Sequence, residues 1–157
     1  MNIILNSSFL VVFLTGIYCE FTTTSEQPRY VHCDSNDIVL NNRCYSFIKE
    51  RLNRNDANRK CRQIGKTLAI FDNFSQINFI TSYSQSQFGT TYGSFWIGFQ
   101  RGTTSYYWQD GSPVTVTNWS SGYPHSNQYF VAQDISNGKW KNFPDSELLF
   151  SVCSGVL

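Results

Sequence analysis

One long stretch of this chain lacks acids: from Gly111 through Gln133 there is neither Asp nor Glu. A calcium ion takes about six to eight oxygen ligands, several of them charged, so that stretch alone offers it no cage. Net charge is also scarce, at +1, which excludes the broad basic field of a nucleic-acid binder or of a protein held to anionic membranes by charge. There are two histidines, His32 and His125. Neither stands in a Ser-His-Asp, paired-carboxylate or phosphate-loop arrangement, so the chain does not read as an enzyme. No two cysteines have the Cys-x-x-Cys spacing that zinc sites favour. The apolar stretch from Ile3 to Tyr18, interrupted at Asn6-Ser7-Ser8, is shorter than the about 20 residues of a spanning helix.

What is present describes an aromatic-rich globular protein. Of 157 residues, 41% are apolar and 17% aromatic, enough for one domain with its own core. The Ile3 to Tyr18 stretch suits a secretory leader cut after Cys19, which makes 1–19 a signal peptide. The rival reading, a short signal anchor, lacks a basic flank. Residues 20–32, with Thr22-Thr23-Thr24-Ser25 and Pro28, read as an exposed Thr/Ser-rich spacer. Removing Cys19 leaves Cys33, Cys44, Cys61 and Cys153, an even set suited to an oxidising compartment. Four cysteines allow three pairings, and spacing does not choose among them.

Residues 33–157 carry the domain. The run Phe95-Trp96-Ile97-Gly98-Phe99 has the density of a strand buried on both faces, with a glycine leaving room for a close neighbour. Cys33 to Cys44 resembles a hairpin turn, and Cys44-Tyr45-Ser46-Phe47-Ile48 alternates as a strand. Asn53 or Asn55 caps a helix with Ala57, Cys61 and Ile64 inward and Gly65 ending it. Seven basic residues lie between Lys49 and Lys66; a solvated helix face explains them, and an anionic glycan or lipid headgroup site is the alternative. Leu68-Ala69-Ile70-Phe71 reads as a buried strand. Ser75 caps a second helix with Ile77, Phe79 and Ile80 inward and Tyr83 continuing the stripe. Further strands are expected at Tyr106-Tyr107-Trp108, Tyr129 to Ala132, Lys139-Trp140 and Phe150 to Cys153. Two sequons, Asn73-Phe74-Ser75 and Asn118-Trp119-Ser120, could carry N-glycans.

The ordered set Cys44-Tyr45-Ser46-Phe47, Asn55-Asp56-Ala57 through Cys61 to Gly65, Leu68-Ala69-Ile70, the Gln76 to Ile80 segment, Phe95-Trp96-Ile97-Gly98, Trp108 with Asp110-Gly111, Asn118-Trp119 and Gly138-Lys139-Trp140 resembles the C-type lectin-like domain in its long form. The resemblance implies an α+β fold, with two helices flanking small antiparallel sheets and a long irregular loop, closed by disulfides. It implies pairing Cys33 with Cys44 and Cys61 with Cys153, the latter worth on the order of 4 to 5 kcal/mol in chain entropy. A second bridge of the family would join Phe130 and Asp145. Neither is cysteine, so the loop is expected to be less tightly tied.

The resemblance also locates a site. The calcium-dependent members' first triplet falls on Tyr123-Pro124-His125, the following acid on about Gln128, and their Trp-Asn-Asp triplet on Trp140-Lys141-Asn142. Only Pro124 and Trp140 match. Tyr123 and His125 are poor calcium ligands, and Lys141 adds repulsion, so no metal or cofactor is expected at the usual place. Tyr123, Pro124, His125, Asn127, Gln128, Lys141 and Asn142 become the candidate ligand-binding set, with Tyr129 beside them. The resemblance further implies a cis bond before Pro124, and Trp119 reads as filler of the loop's own core. Two functions follow. One is a secreted, extracellular recognition module binding a carbohydrate without the usual calcium site. The other is a protein-binding domain, defence or toxin-like, that no longer binds sugar. The partner is a glycan or extracellular protein, with no nucleic acid and no stable membrane insertion after leader removal.

Overall fold

The Phe95 to Phe99 run lies in the middle of a sheet, as its composition demands. In the computed structural model, which describes residues 31–157, it belongs to β4 (Ser94–Arg101), where Phe95, Trp96 and Ile97 are fully buried. The expected leader and most of the expected spacer lie outside the described residues. The elements in order are β1 (Ile38–Leu40), β2 (Arg43–Leu52), α1 (Arg54–Gln63), β3 (Thr67–Leu68), α2 (Phe74–Phe88), β4, β5 (Tyr106–Trp108), β6 (Phe130–Asp134), β7 (Trp140–Phe143) and β8 (Leu149–Val156). The sheet runs β1-β2-β8-β4-β6-β7, with β3 paired to β8 and β5 to β4. It is one mixed sheet and not several antiparallel ones. The last strand inserts between β2 and β4, antiparallel to the first and parallel to the second.

Gly98 has the predicted neighbour: a Cβ there would stand 2.7 Å from the Leu68 carbonyl oxygen. That close approach lets the Leu68 to Phe71 segment cross β4, with the Gly98 amide donating to the Ala69 carbonyl at 2.8 Å. The crossing also corrects the expected strand over Leu68 to Phe71. Thr67 and Leu68 pair with β8 in register, the Ala69 amide still donates to the Val152 carbonyl at 2.8 Å, and Ile70 donates its amide to the Ser154 hydroxyl at 3.1 Å.

Both helices form, with shifted details. Of the two candidate caps for α1, Asn53 serves, its side chain accepting from the Asp56 amide at 2.9 Å. Gly65 follows at φ +72°, a left-handed position that costs glycine little. Ile64 is 37% exposed: the helix has ended, so the three-residue step no longer returns it to the Cys61 face. α2 begins before Ser75, because Asn73 caps it by accepting from the Gln76 amide at 3.0 Å. Its inward stripe is Ile77, Ile80, Thr81 and Ser84. Phe79, two residues after Ile77 and so about 200° round the helix, is 44% exposed and stacks on Tyr83 instead.

Two bridges and one ion pair close the domain. Cys33 bonds to Cys44 and Cys61 to Cys153, 92 residues apart, as the resemblance implied. β1 and β2 turn at Asn41 and Asn42, both at positive φ, a conformation that asparagine tolerates in hairpins. Lys66, expected on a solvated face, is instead fully buried and donates to Asp37 Oδ2 at 2.7 Å, where the Asp37 side chain is 3% exposed. This pair holds the N-terminal hairpin against the end of α1. Ser46 donates to the other Asp37 oxygen at 2.5 Å. Burial pushes the Asp37 carboxyl up, but Lys66 and Ser46 outweigh it and hold the group below its usual value. Asp72, bonded to Arg43 and Gln76, is lowered in the same way.

Removing one partner of a buried pair strands the other, so Asp37→Ala is expected to cost about 3 to 5 kcal/mol, read from chemical denaturation. A carboxyl depressed in the fold stabilises it above the unfolded value, about 3.9, and that stabilisation is lost as pH falls through the lower folded value. Thermal melts of the wild type should therefore steepen in pH dependence below about pH 4, and Asp37→Asn should flatten that limb.

Candidate functional site

The segment between β5 and β6 is long, yet its own polar groups and a small aromatic core hold it to the sheet. At its start Asp110 turns the chain by accepting from the Ser112 amide at 2.9 Å. Thr115 then donates to the Asp72 carbonyl at 2.7 Å, and Val116 is buried. Trp119 lies edge-on to Tyr106 at 4.9 Å and to Trp140 at 6.1 Å, so it fills the loop's core as expected. Its backbone runs alongside β7, the Trp140 amide donating to the Asn118 carbonyl at 2.7 Å and the Ser120 amide to the Trp140 carbonyl at 2.9 Å.

Beyond Trp119 the chain passes a cis bond between Tyr123 and Pro124 and rests on Asn142. That side chain is 1% exposed. Its Nδ2 donates to the His125 carbonyl at 2.7 Å and the Gln128 carbonyl at 2.8 Å, with the Tyr106 hydroxyl at 3.2 Å, while its Oδ1 accepts from the His125 amide at 2.8 Å. Two hydrogens on one nitrogen thus gather backbone oxygens of the loop. In the aligned triplet the family has Asp at this position; a carboxylate there could accept but not donate.

The remaining candidate residues divide by role. Tyr123 and His125 pair their rings at 4.4 Å and 34°, His125 exposed and Tyr123 half-buried. Pro124 and Asn127 are exposed and Gln128 half-buried. Lys141 points elsewhere: its ammonium bonds to Asp134 Oδ2 at 3.0 Å. Burial pushes the Asp134 carboxyl up, but hydrogen bonds from Ser136 and Lys141 hold it below its usual value. Among the described residues, the one grouping of three His, Cys, Asp or Glu side chains close enough to share an ion is Cys33, Asp37 and Cys44. Its two sulfurs are joined in a disulfide and have no thiolate to offer.

Three contributors escape sequence reasoning. Arg101 places its guanidinium on the Ser126 carbonyl and 5.8 Å over the Tyr129 ring. Tyr106 supplies the hydroxyl under the loop; burial pushes its pKa up, so it stays protonated. Arg54, counted among the surface basic residues, is 3% exposed and has no carboxylate partner among the described residues. Its Nη2 donates to Gln109 Oε1 at 2.9 Å and Gln100 Oε1 at 3.2 Å, and its guanidinium lies 5.1 Å over the Phe130 ring. Its backbone amide donates to the Asp145 carbonyl at 2.9 Å. Phe130 and Asp145, the two positions where the family's further bridge would fall, are therefore linked through Arg54 without a covalent bond. Burial pulls its pKa down to about 10, which leaves it charged at neutral pH. No spacing rule distinguishes it from its solvated neighbours.

The two sequons differ in access. Asn73 is exposed and uses only its Oδ1 for the helix cap, leaving its amide nitrogen available. Asn118 is 8% exposed, donates Nδ2 to the Gly138 carbonyl at 2.8 Å, and accepts from Lys139. Peptide mapping of protein secreted from a glycosylating host should find sugar on Asn73 and not on Asn118. Asn142→Ala removes the donor to the His125 and Gln128 carbonyls and should cost roughly 1 to 3 kcal/mol. The accompanying change to measure is faster amide exchange across 121–128, with the sheet amides of β4 and β8 unchanged.

Comparison with known proteins agrees with this architecture. The family profile described as the lectin C-type domain matches residues 50–155. Among curated relatives, a secretory phospholipase A2 receptor of Bos taurus is 28% identical over 128 residues, covering 78% of this chain. The chain spans only 8% of that receptor's length. A C-type lectin mannose-binding isoform of Oxyuranus scutellatus is 28% identical over 158 residues, covering 92% of this chain and 96% of the relative. Among solved structures, human lithostathine superposes with a TM-score of 0.73 at 26% identity, covering 80% of this chain and 100% of the other. With its two helices, its sheet closed by the Cys61 to Cys153 bridge and its long loop between β5 and β6, this chain belongs to the C-type lectin domain family.

Proposed function

We propose that this protein is a secreted recognition module that binds a carbohydrate through the 121–129 loop without calcium at the usual place. The observation that carries the reading is the buried Asn142 amide, which organises the loop by donating hydrogen bonds to it. A loop shaped in this way keeps Tyr123, His125 and Tyr129 at its surface without an ion. Tyr129 is 53% exposed beneath Arg101, and flat rings with amide neighbours are the groups that stack on sugar faces. Asn127 and Gln128 supply amides at the rim. Asn142 acts from beneath as a positioning residue, whereas Lys141 is engaged by Asp134.

Binding, and not catalysis, suits this set, because none of its groups pairs a nucleophile with a base. The mannose-binding name of the Oxyuranus scutellatus relative supports the carbohydrate reading. A protein ligand is the second reading, favoured by the similarity to a phospholipase A2 receptor and by exposed aromatic rings of the kind that anchor protein interfaces.

A glycan array probed in chelator separates the two. Under the carbohydrate reading a defined set of glycans is retained in chelator, and Tyr123→Ala or His125→Ala weakens that binding about tenfold, roughly 1.4 kcal/mol. Loss of all glycan binding in chelator, with recovery in calcium, would contradict the reading. A saturable extracellular protein partner with no glycan bound would favour the second.

A further inference from the structure

A second concave surface lies between the N-terminal hairpin and α2. It is a cleft of about 720 Å³ bordered by residues 34–38, the outer side of β2, Ile64 and the second half of α2. That volume is within the range of small-molecule sites, about 300 to 1,000 Å³. One wall is aromatic. The Phe47 and Tyr83 rings meet at 5.4 Å and 52°, and Phe79 extends the wall outward, stacked on Tyr83 at 6.1 Å and 7°. The other walls are polar: Asn36, Lys49 and Gln87 line the cleft, and among the described residues none of their side chains has a hydrogen-bond partner. Asp34 faces solvent with its carboxylate 3.6 Å from the buried Lys66 ammonium.

The charges in and under the cleft cancel. Asp34 and Asp37 stand against Lys66 and Lys49, and Asp37 is already occupied by Lys66, Ser46 and the Asp34 amide. Their formal charges sum to zero, so the cleft as a whole favours an ion of neither sign. A neutral molecule with many hydroxyls and an apolar face finds a ring wall and three unpartnered polar side chains. We propose that this cleft is a second ligand site, specific for a short neutral saccharide and separate from the 121–129 loop. Its floor is rigid, because the Lys66 to Asp37 pair and the Cys33 to Cys44 bridge fix the hairpin on one side. A rigid floor reduces the ordering cost of binding.

Side-chain amide signals of Asn36 and Gln87 in proton–nitrogen spectra of the full mature chain read the cleft directly. The probes are maltotriose, cellotriose, chitotriose and mannotriose, titrated in chelator. The expected result is that at least one trisaccharide shifts both signals saturably. Gln87→Trp, which fills the cleft, should weaken that saturation at least tenfold, and Lys49→Glu should weaken it while the dispersed spectrum persists. Tyr123→Ala should leave it unchanged. If no trisaccharide moves these amides, or if shifts appear only in residues 121–129, the cleft is not a saccharide site. Signals of the loop report the other site in the same spectra, so failure of one reading is distinct from failure of the other.

Discussion

Two hydrogens on the Asn142 side chain hold the 121–128 loop in shape. The nitrogen that carries them lies 2.7 and 2.8 Å from two loop carbonyl oxygens. Inside a protein an unpaired carbonyl costs roughly 1 to 3 kcal/mol, so the backbone around His125 and Gln128 follows the donor. A calcium site needs several charged oxygen ligands. Here a neutral amide performs the gathering, and the segment from Gly111 to Gln133 has no acid to attract an ion. The aromatic residues on top inherit their placement from that bond set.

Beneath the loop, the scaffold depends on where the chain ends. β8 enters between β2 and β4, and the Cys61 to Cys153 bridge fastens it to α1 across 92 residues of sequence. Gly98 lets the segment after β3 cross the sheet at backbone contact distance. Lys66 and Asp37 fasten the N-terminal hairpin from inside. The loop and the hairpin cleft share no lining residue and are each framed by fixed elements. Among the described residues no helix is long and apolar enough to cross a membrane.

Much of this architecture was legible in sequence because its signals are strong and local. The apolar density of Phe95 to Phe99 and the Gly65 stop each have one dominant physical reading, and an asparagine cap for α1 was legible with Asn53 and Asn55 both open. The cysteine pairing was legible only through resemblance, since spacing left three choices. The failures were matters of boundary and of burial. Asn73 caps α2 in place of Ser75, because either residue suits a cap and only the chain's approach decides. Phe79 lies off the buried stripe because Ile77 and Ile80, and not the aromatic, set its phase. Arg54 and Lys66 read as solvated because a buried cation leaves no trace in a sequence; their partners, Phe130 and Asp37, are distant in chain order or unremarkable in type. In the site, the poverty of acids was visible from composition, whereas the donor geometry of Asn142 and the supports from Tyr106 and Arg101 needed three dimensions.

A loop organised by an amide in place of an ion should be indifferent to calcium. Calorimetric titration of calcium into chelator-stripped protein, with amide exchange of residues 121–128 followed at each end point, tests this most directly. The account predicts no calcium site tighter than millimolar and the same protection of those amides with and without the ion. Submillimolar binding accompanied by new protection across the loop would contradict it.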